Sequence, residues 1–251
     1  MVRIFNPAAV LVCYMLLFLS CTKDAAVADN NTGNNGAGGS MARFTLVGNH
    51  LYLVNYSNLI TYDCSDPKSL KEKSNLQIGF NIETIYPYKD KLFIGSSVGM
   101  YVYSLGDPAL PKLEGAATHV RACDPVVGND TVAYVTLRSF GTNCGSQSDV
   151  LNVYNIKTLQ SPALVKTIVM GSPYGLGISG NALYVCDGNN GLKVFDISSG
   201  YEPVLTQTFS GKEYLDVIPY NNILICHVTG GIHFFDISDP LLPIEAGMVN
   251  D

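Results

Sequence analysis

Three charged residues pose the chemical question in this chain: Arg43, Asp124 and Asp216. They stand at matching places in a sequence that repeats itself, and Thr84 and Gly175 hold the other two such places. If the repeats surround an axis, matching places form a ring. Two carboxylates and a guanidinium on one ring would hold a polar ligand or an ion; the plainer reading is a solvated ring with one ion pair. Two carboxylates at a fixed separation also perform acid and base work on a glycosidic bond. Glu83 and Tyr174 occupy the neighbouring place in their repeats, and Glu83 is expected to point away from Asp124 and Asp216.

Other chemistry is thinly supported. The four histidines, His50, His119, His227 and His233, are scattered through different segments, and no G-x-S-x-G motif marks a nucleophile. Asp187-Gly188-Asn189-Asn190-Gly191 offers oxygen ligands but lacks the long acidic loop of an EF-hand and reads as a hairpin turn. No metal site, cofactor or catalytic residue is assigned on these patterns. Cys186 and Cys226 fall on equivalent strands of adjacent units and read as buried, reduced, small apolar residues. Tyr56, in a loop, is a candidate for stacking on a sugar.

The elements that must position these residues come from the repeat. Leu51-Tyr52, Leu92-Phe93, Ala133-Tyr134, Leu183-Tyr184 and Leu224-Ile225 mark successive copies, spaced by 41, 41, 50 and 41 residues. Each copy holds four β-rich segments. The second is rich in Tyr and Val, as strands prefer. A Gly/Asn/Ser turn joins it to a third segment with period-two alternation, and such residues supply the positive φ of hairpin turns. Asp-Pro or a near relative follows at Asp66-Pro67, Asp107-Pro108 and Asp239-Pro240; proline cannot donate to a ladder and ends the strand. A period near 40 built of short strands predicts an all-β propeller of five blades, each of four antiparallel strands, over residues 41–251. An open β-solenoid is the alternative. The chain opens on a first strand and ends on a fourth, so closure of a ring would rest on packing between blades one and five.

Only the third unit breaks the period. Its extra residues lie in Arg138–Asp149, a loop that shares a face with the start of each first strand. Cys123 begins the first strand of this unit and Cys144 lies in the loop, so topology predicts a Cys123–Cys144 disulfide; two unrelated thiols are the alternative. Insertions in regular arrays often mark the binding face. The ligand-binding candidates are therefore Arg43, Asp124, Arg138 and Asp216 at the mouth of a central channel.

The chain has 251 residues with a formal charge of −6. An acidic chain without basic clusters argues against nucleic acid and against charge-driven membrane binding. Arg3 and the apolar run Ala8–Ser20 are too short to span a bilayer and suit a signal peptide over residues 1–20. The run ends in Phe18-Leu19-Ser20-Cys21, which resembles a bacterial lipobox with Cys21 as the lipidated residue. An ordinary secretory signal is the alternative. Residues 21–40, rich in Gly, Asn, Ala and Asp, read as a flexible tether. An exported chain meets an oxidising compartment, which permits the disulfide.

The runs Leu183-Tyr184-Val185 and Gly191-Leu192-Lys193-Val194-Phe195-Asp196-Ile197-Ser198, with their copies near Leu92, Val153 and Phe234, resemble the LVIVD-repeat β-propeller lipoproteins of bacteria. The resemblance covers residues 41–251 and implies the propeller and the lipid anchor; it carries no catalytic residues. The expectation is a non-enzymatic module held at the cell envelope by its N-terminal lipid. It would sit on the outer membrane, on the periplasmic or surface side, and bind a polysaccharide, peptide or protein partner. The alternative is a carbohydrate-active enzyme, a glycoside hydrolase or lyase, using the mouth carboxylates.

Overall fold

The computed structural model describes residues 39–118, 125–139 and 148–251. The proposed signal peptide, the lipidation site Cys21, most of the proposed tether, Cys123, Asp124 and Cys144 lie outside the described residues.

Among the described residues, twenty strands form five four-stranded antiparallel sheets, each in sequence order. Blade one holds β1 (Phe44–Val47), β2 (His50–Val54), β3 (Asn58–Asp63) and β4 (Lys71–Gln77). Blade two holds β5 (Ile82–Tyr88), β6 (Lys91–Ser96), β7 (Gly99–Ser104) and β8 (Lys112–Thr118). Blade three holds β9 (Val126–Gly128), β10 (Val132–Leu137), β11 (Val150–Asn155) and β12 (Ala163–Val169). Blade four holds β13 (Leu176–Ser179), β14 (Ala182–Cys186), β15 (Leu192–Asp196) and β16 (Val204–Phe209). Blade five holds β17 (Tyr214–Tyr220), β18 (Ile223–Val228), β19 (Gly231–Asp236) and β20 (Ile244–Asn250). The arrangement is a β-propeller, as the repeat predicts.

Local chemistry sets the turns. The hairpin between the first two strands needs a left-handed residue at one place, filled by Gly48 (φ 57°), Lys89 (51°), Gly180 (54°) and Asn221 (52°). Glycine and asparagine take this conformation at little cost. After the third strand, Asp63, Asp196 and Asp236 each accept a hydrogen bond from the serine N–H two residues on, at Ser65, Ser198 and Ser238. Asp66, Asp107 and Asp239 repeat the device three residues later by accepting from Lys68, Ala109 and Leu241. These side-chain turns satisfy the backbone where the ladder stops.

Each blade is covered by its neighbours. Buried apolar clusters lie between blades one and two, two and three, three and four, and four and five. A recurrent hydrogen bond crosses three of these interfaces. Tyr52, Tyr134 and Tyr184 donate their hydroxyls to the carbonyls of Pro108, Gly200 and Pro240 in the loop of the following blade. Burial holds all three hydroxyls well above the usual tyrosine range.

Among the described residues, the expected packing of blade five on blade one is not found. No described cluster joins them, and the first strands β1 and β17 share no extensive contact of the kind that joins the other neighbours. Phe44 and Leu46 of β1 are 61% and 49% exposed, and Leu51 and Leu53 of β2 are half-exposed. On blade five, Ile225, Ile232 and Phe234 are half-exposed. Their register partners in the inner blades are buried.

Cys186 and Cys226 are buried and free, as expected, but one residue out of step. Cys186 pairs with Leu192 and Cys226 with His233. In a strand, one residue reverses the facing, so the two thiols approach the same interface from its two sides, within one apolar cluster.

Candidate functional site

The ring of matching places is real at four of its five positions. Val54 donates to the carbonyl of Arg43, Thr136 to that of Pro125 and Cys186 to that of Gly175; Thr84 and Asp216 pair with Gly95 and His227. Blade three thus contributes Pro125 to the ring, where the sequence alignment put Asp124. The cause is local: β9 is only three residues long, and the sequence around it offers few fixed points for the alignment.

A short segment runs across the mouth before β1 begins. Ser40 accepts a 2.7 Å hydrogen bond on its hydroxyl from the N–H of Leu176 in blade four. Ala42 accepts one of 2.8 Å from the N–H of Ile85 in blade two. Gly39 lies against Asp216 of blade five, so closely that a Cβ there would come within 2.4 Å of the carboxylate. Gly39 and Ser40, which composition assigns to the tether, therefore belong to the folded body, and Ser40 is fully buried. We refer to Gly39–Ala42 as the strap.

The strap divides the predicted site. On one side, Met41, Arg43, Glu83, Thr84, Pro125, Arg138, Pro173 and Tyr174 line a cavity of about 170 Å³. On the other side is Asp216, packed against Gly39 and Gly175, where an added Cβ at Gly175 would approach its carboxylate to 2.0 Å. Arg43 and Arg138 are thus brought together, and Asp216 is kept apart from them. Desolvation pushes the Asp216 carboxyl up to about 6, against the N–H of Val217, at 2.9 Å, and the neighbouring His227.

Two residues that the sequence set aside are central. Glu83 lines the cavity between the two arginines. Its carboxyl is pushed above the ordinary glutamate range by desolvation, while Arg43 and Arg138 draw it back down. Tyr174 carries the guanidinium of Arg138 over its ring, 3.7 Å from the centroid, a cation–π contact. Thr136 fixes Tyr174 by donating to its carbonyl at 2.7 Å. The neck of the inserted loop is tied where Ser139 donates from its N–H and hydroxyl to Asp149, at 2.8 and 2.7 Å; Arg138 precedes that knot. The signal for Glu83 and Tyr174 was their place beside the ring, which puts them on the rim. Among the described residues no three His, Cys, Asp or Glu side chains gather to hold a metal ion.

Blade four has a polar hub of its own. Asp187, fully buried, accepts from the N–H groups of Gly171 and Ser172 and pairs with Lys193 at 2.5 Å. The residues considered as a weak metal loop are therefore a hairpin turn organised by an ion pair. Residues 171–210, which contain this hub, match the family model described as LVIVD repeat. The fourth blade thus matches the LVIVD repeat. The LVIVD match supports the recognition made from Leu183–Val185 and Gly191–Ser198, and the other four blades repeat its strand order. No curated protein matches the chain.

Solved structures match across the LVIVD blade and its neighbours. A functionally unknown protein from Desulfotomaculum acetoxidans aligns with a TM-score of 0.65 at 8% identity, over 81% of this chain and 67% of that one. The periplasmic gluconolactonase of Pseudomonas aeruginosa aligns with a TM-score of 0.60 at 14% identity, over 81% and 68%. A computationally designed protein aligns with a TM-score of 0.57 at 14% identity, over 82% and 60%. At these identities the likeness is one of fold. The chain spans 60% of the designed protein's length and about two thirds of the other two.

Proposed function

We propose that the protein is a non-enzymatic binding module of the bacterial cell envelope, anchored through lipid on Cys21, that takes a polysaccharide, peptide or protein partner at the channel mouth. The observation that carries the reading is the convergence of Arg43 from blade one and Arg138 from blade three on Glu83 of blade two, around one cavity. Concave sites with a few convergent polar groups and apolar walls are the usual form of a ligand pocket, and here Pro125, Pro173 and Tyr174 supply the walls. The gluconolactonase among the similar structures acts on a sugar lactone by its name; a carbohydrate partner is in keeping with that. The enzyme alternative would draw on Asp216, whose raised carboxyl suits an acid catalyst, but Gly39 and Gly175 crowd it.

The test is a panel of envelope polysaccharides and peptides presented to the full chain and to an Arg43→Ala, Arg138→Ala double variant. The double variant should lose the partner that the wild type retains while its thermal unfolding stays unchanged. Equal retention by both would remove the mouth from consideration. Cys21→Ala should move the protein into the soluble fraction, since stable anchoring needs the acyl chains. If that variant stays membrane-bound after high-salt washing, the anchor is wrong.

A further inference from the structure

The geometry points to a carboxylate-bearing sugar, a uronate, as the ligand of the mouth cavity. This rests on the mouth being a binding site and goes on to name the ligand's chemistry. Among the described residues, two guanidinium groups face the cavity and one carboxylate, Glu83, stands between them. The described lining of the cavity is thus cationic on balance, in a chain whose formal charge is −6. Arginine presents a planar fork of N–H donors that matches a carboxylate in two parallel hydrogen bonds. Arg138 is held for this role, because stacking on Tyr174 fixes its plane and Thr136 fixes Tyr174.

The rest of the cavity suits a pyranose ring rather than a bare anion. Pro125 and Pro173 present flat apolar rings, and Met41 of the strap adds a third apolar wall. The volume, about 170 Å³, admits about one sugar unit with an open side for a chain to continue. Glu83 has two consequences. It accepts hydrogen bonds from sugar hydroxyls, and it opposes the incoming carboxylate by charge. Its carboxyl is already raised by desolvation, so acidification neutralises it while both arginines remain charged. Uronate binding should therefore tighten as pH falls through the titration of Glu83, until the uronate itself protonates.

The experiment compares trigalacturonate with its methyl ester, which is the same sugar without the charge, by calorimetry on the full chain. The acid should bind on the order of tenfold more tightly than the ester, the effect of a charge-assisted hydrogen-bond pair. Added salt should narrow the gap. Arg138→Gln should remove the preference, and Arg138→Lys should restore only part of it because the fork is lost. Glu83→Gln, which keeps an acceptor oxygen and removes the opposing charge, should tighten the acid and leave the ester unchanged or weaker. Equal binding of acid and ester would overturn the uronate assignment and leave the mouth as a neutral-glycan site. Binding of an acidic peptide, with neither sugar bound, would overturn it in favour of a protein partner. No binding of acid, ester or peptide would overturn it as well. The panel experiment with the double arginine variant then decides whether the mouth binds anything at all.

Discussion

Leu183 on β14 and Leu51 on β2 hold the same place in their blades, yet Leu183 is fully buried and Leu51 is half-exposed. Val185 and Leu53, two residues further on, repeat the contrast. On the opposite face, Tyr184, Leu192 and Val194 of blade four are buried, while their counterparts Ile225, Ile232 and Phe234 of blade five are half-exposed. The strands are alike in sequence pattern and hydrogen bonding; only the presence of a neighbouring sheet differs. A propeller blade is therefore apolar on both faces by inheritance from the repeat, and its burial is conferred from outside. The strap is the one described feature that reaches from the start of blade one to blades four and five, through the hydrogen bond of Ser40 and the contact of Gly39 with Asp216.

The sharpest way to break the comparison is to shorten the same leucine in both settings. Leu183→Ala should cost about 3 kcal/mol, since it empties a packed core. Leu51→Ala should cost about 1 kcal/mol or less, since water already reaches that side chain. Urea unfolding of both variants gives the ratio. Equal costs would show that blade one's outer face is covered in solution after all.

The contact between strap and blade five has a pH signature. The Asp216 carboxyl is raised to about 6 in the folded protein, so the native state holds a proton there that the unfolded chain has already lost. Stability contributed by that proton is fully present below the unfolded value near 4 and is lost as pH rises through 6. The loss should be about 2 kcal/mol or less, trimmed by the partial exposure of the group. Asp216→Asn should flatten the stability profile between pH 4 and 7. A wild-type protein whose stability rises across that range would contradict the desolvated position under the strap.

The smallest effect concerns the tyrosine hydroxyls that cross the interfaces. Tyr184→Phe removes the donor to Pro240 and should cost about 1 kcal/mol, as should Tyr52→Phe and Tyr134→Phe. Blade two already carries Phe93 at this place, and blade five carries Ile225, so neither has a hydroxyl to lose. Phe93→Tyr at the interface of blades two and three tests the converse. No gain there would mean that the recurrent hydrogen bond depends on the loop of the following blade rather than on the tyrosine.

Much of the architecture was legible because it is local. The 41-residue period, the period-two alternation, the Asp-Pro breaks and the Gly/Asn turns act within a few residues, and each is visible in the chain as written. They specified five sheets of four strands and the residues of each hairpin. They also placed Arg43 and Arg138 on one rim, since both follow from which strand ends share a face. What the sequence could not show is set by residues far apart in the chain. A β-bulge puts one extra residue into the fourth strand of every blade, at Lys73, Glu114, Val165, Thr206 and Ala246, opposite the same place in the third strand, and it leaves no composition signal because the five inserted residues share no type. The one-residue offset of Cys186 from Cys226 and the placing of Pro125 in the ring depend on pairing register. Glu83 became part of the site only when blades one and three brought arginines to either side of it. The strap was hidden in a low-complexity segment, because Gly39 and Ser40 owe their burial to Leu176 and Asp216, more than a hundred residues away. The closing of the ring was likewise undecidable from the repeat, since every blade carries two apolar faces and their burial depends on what packs against them from elsewhere in the chain.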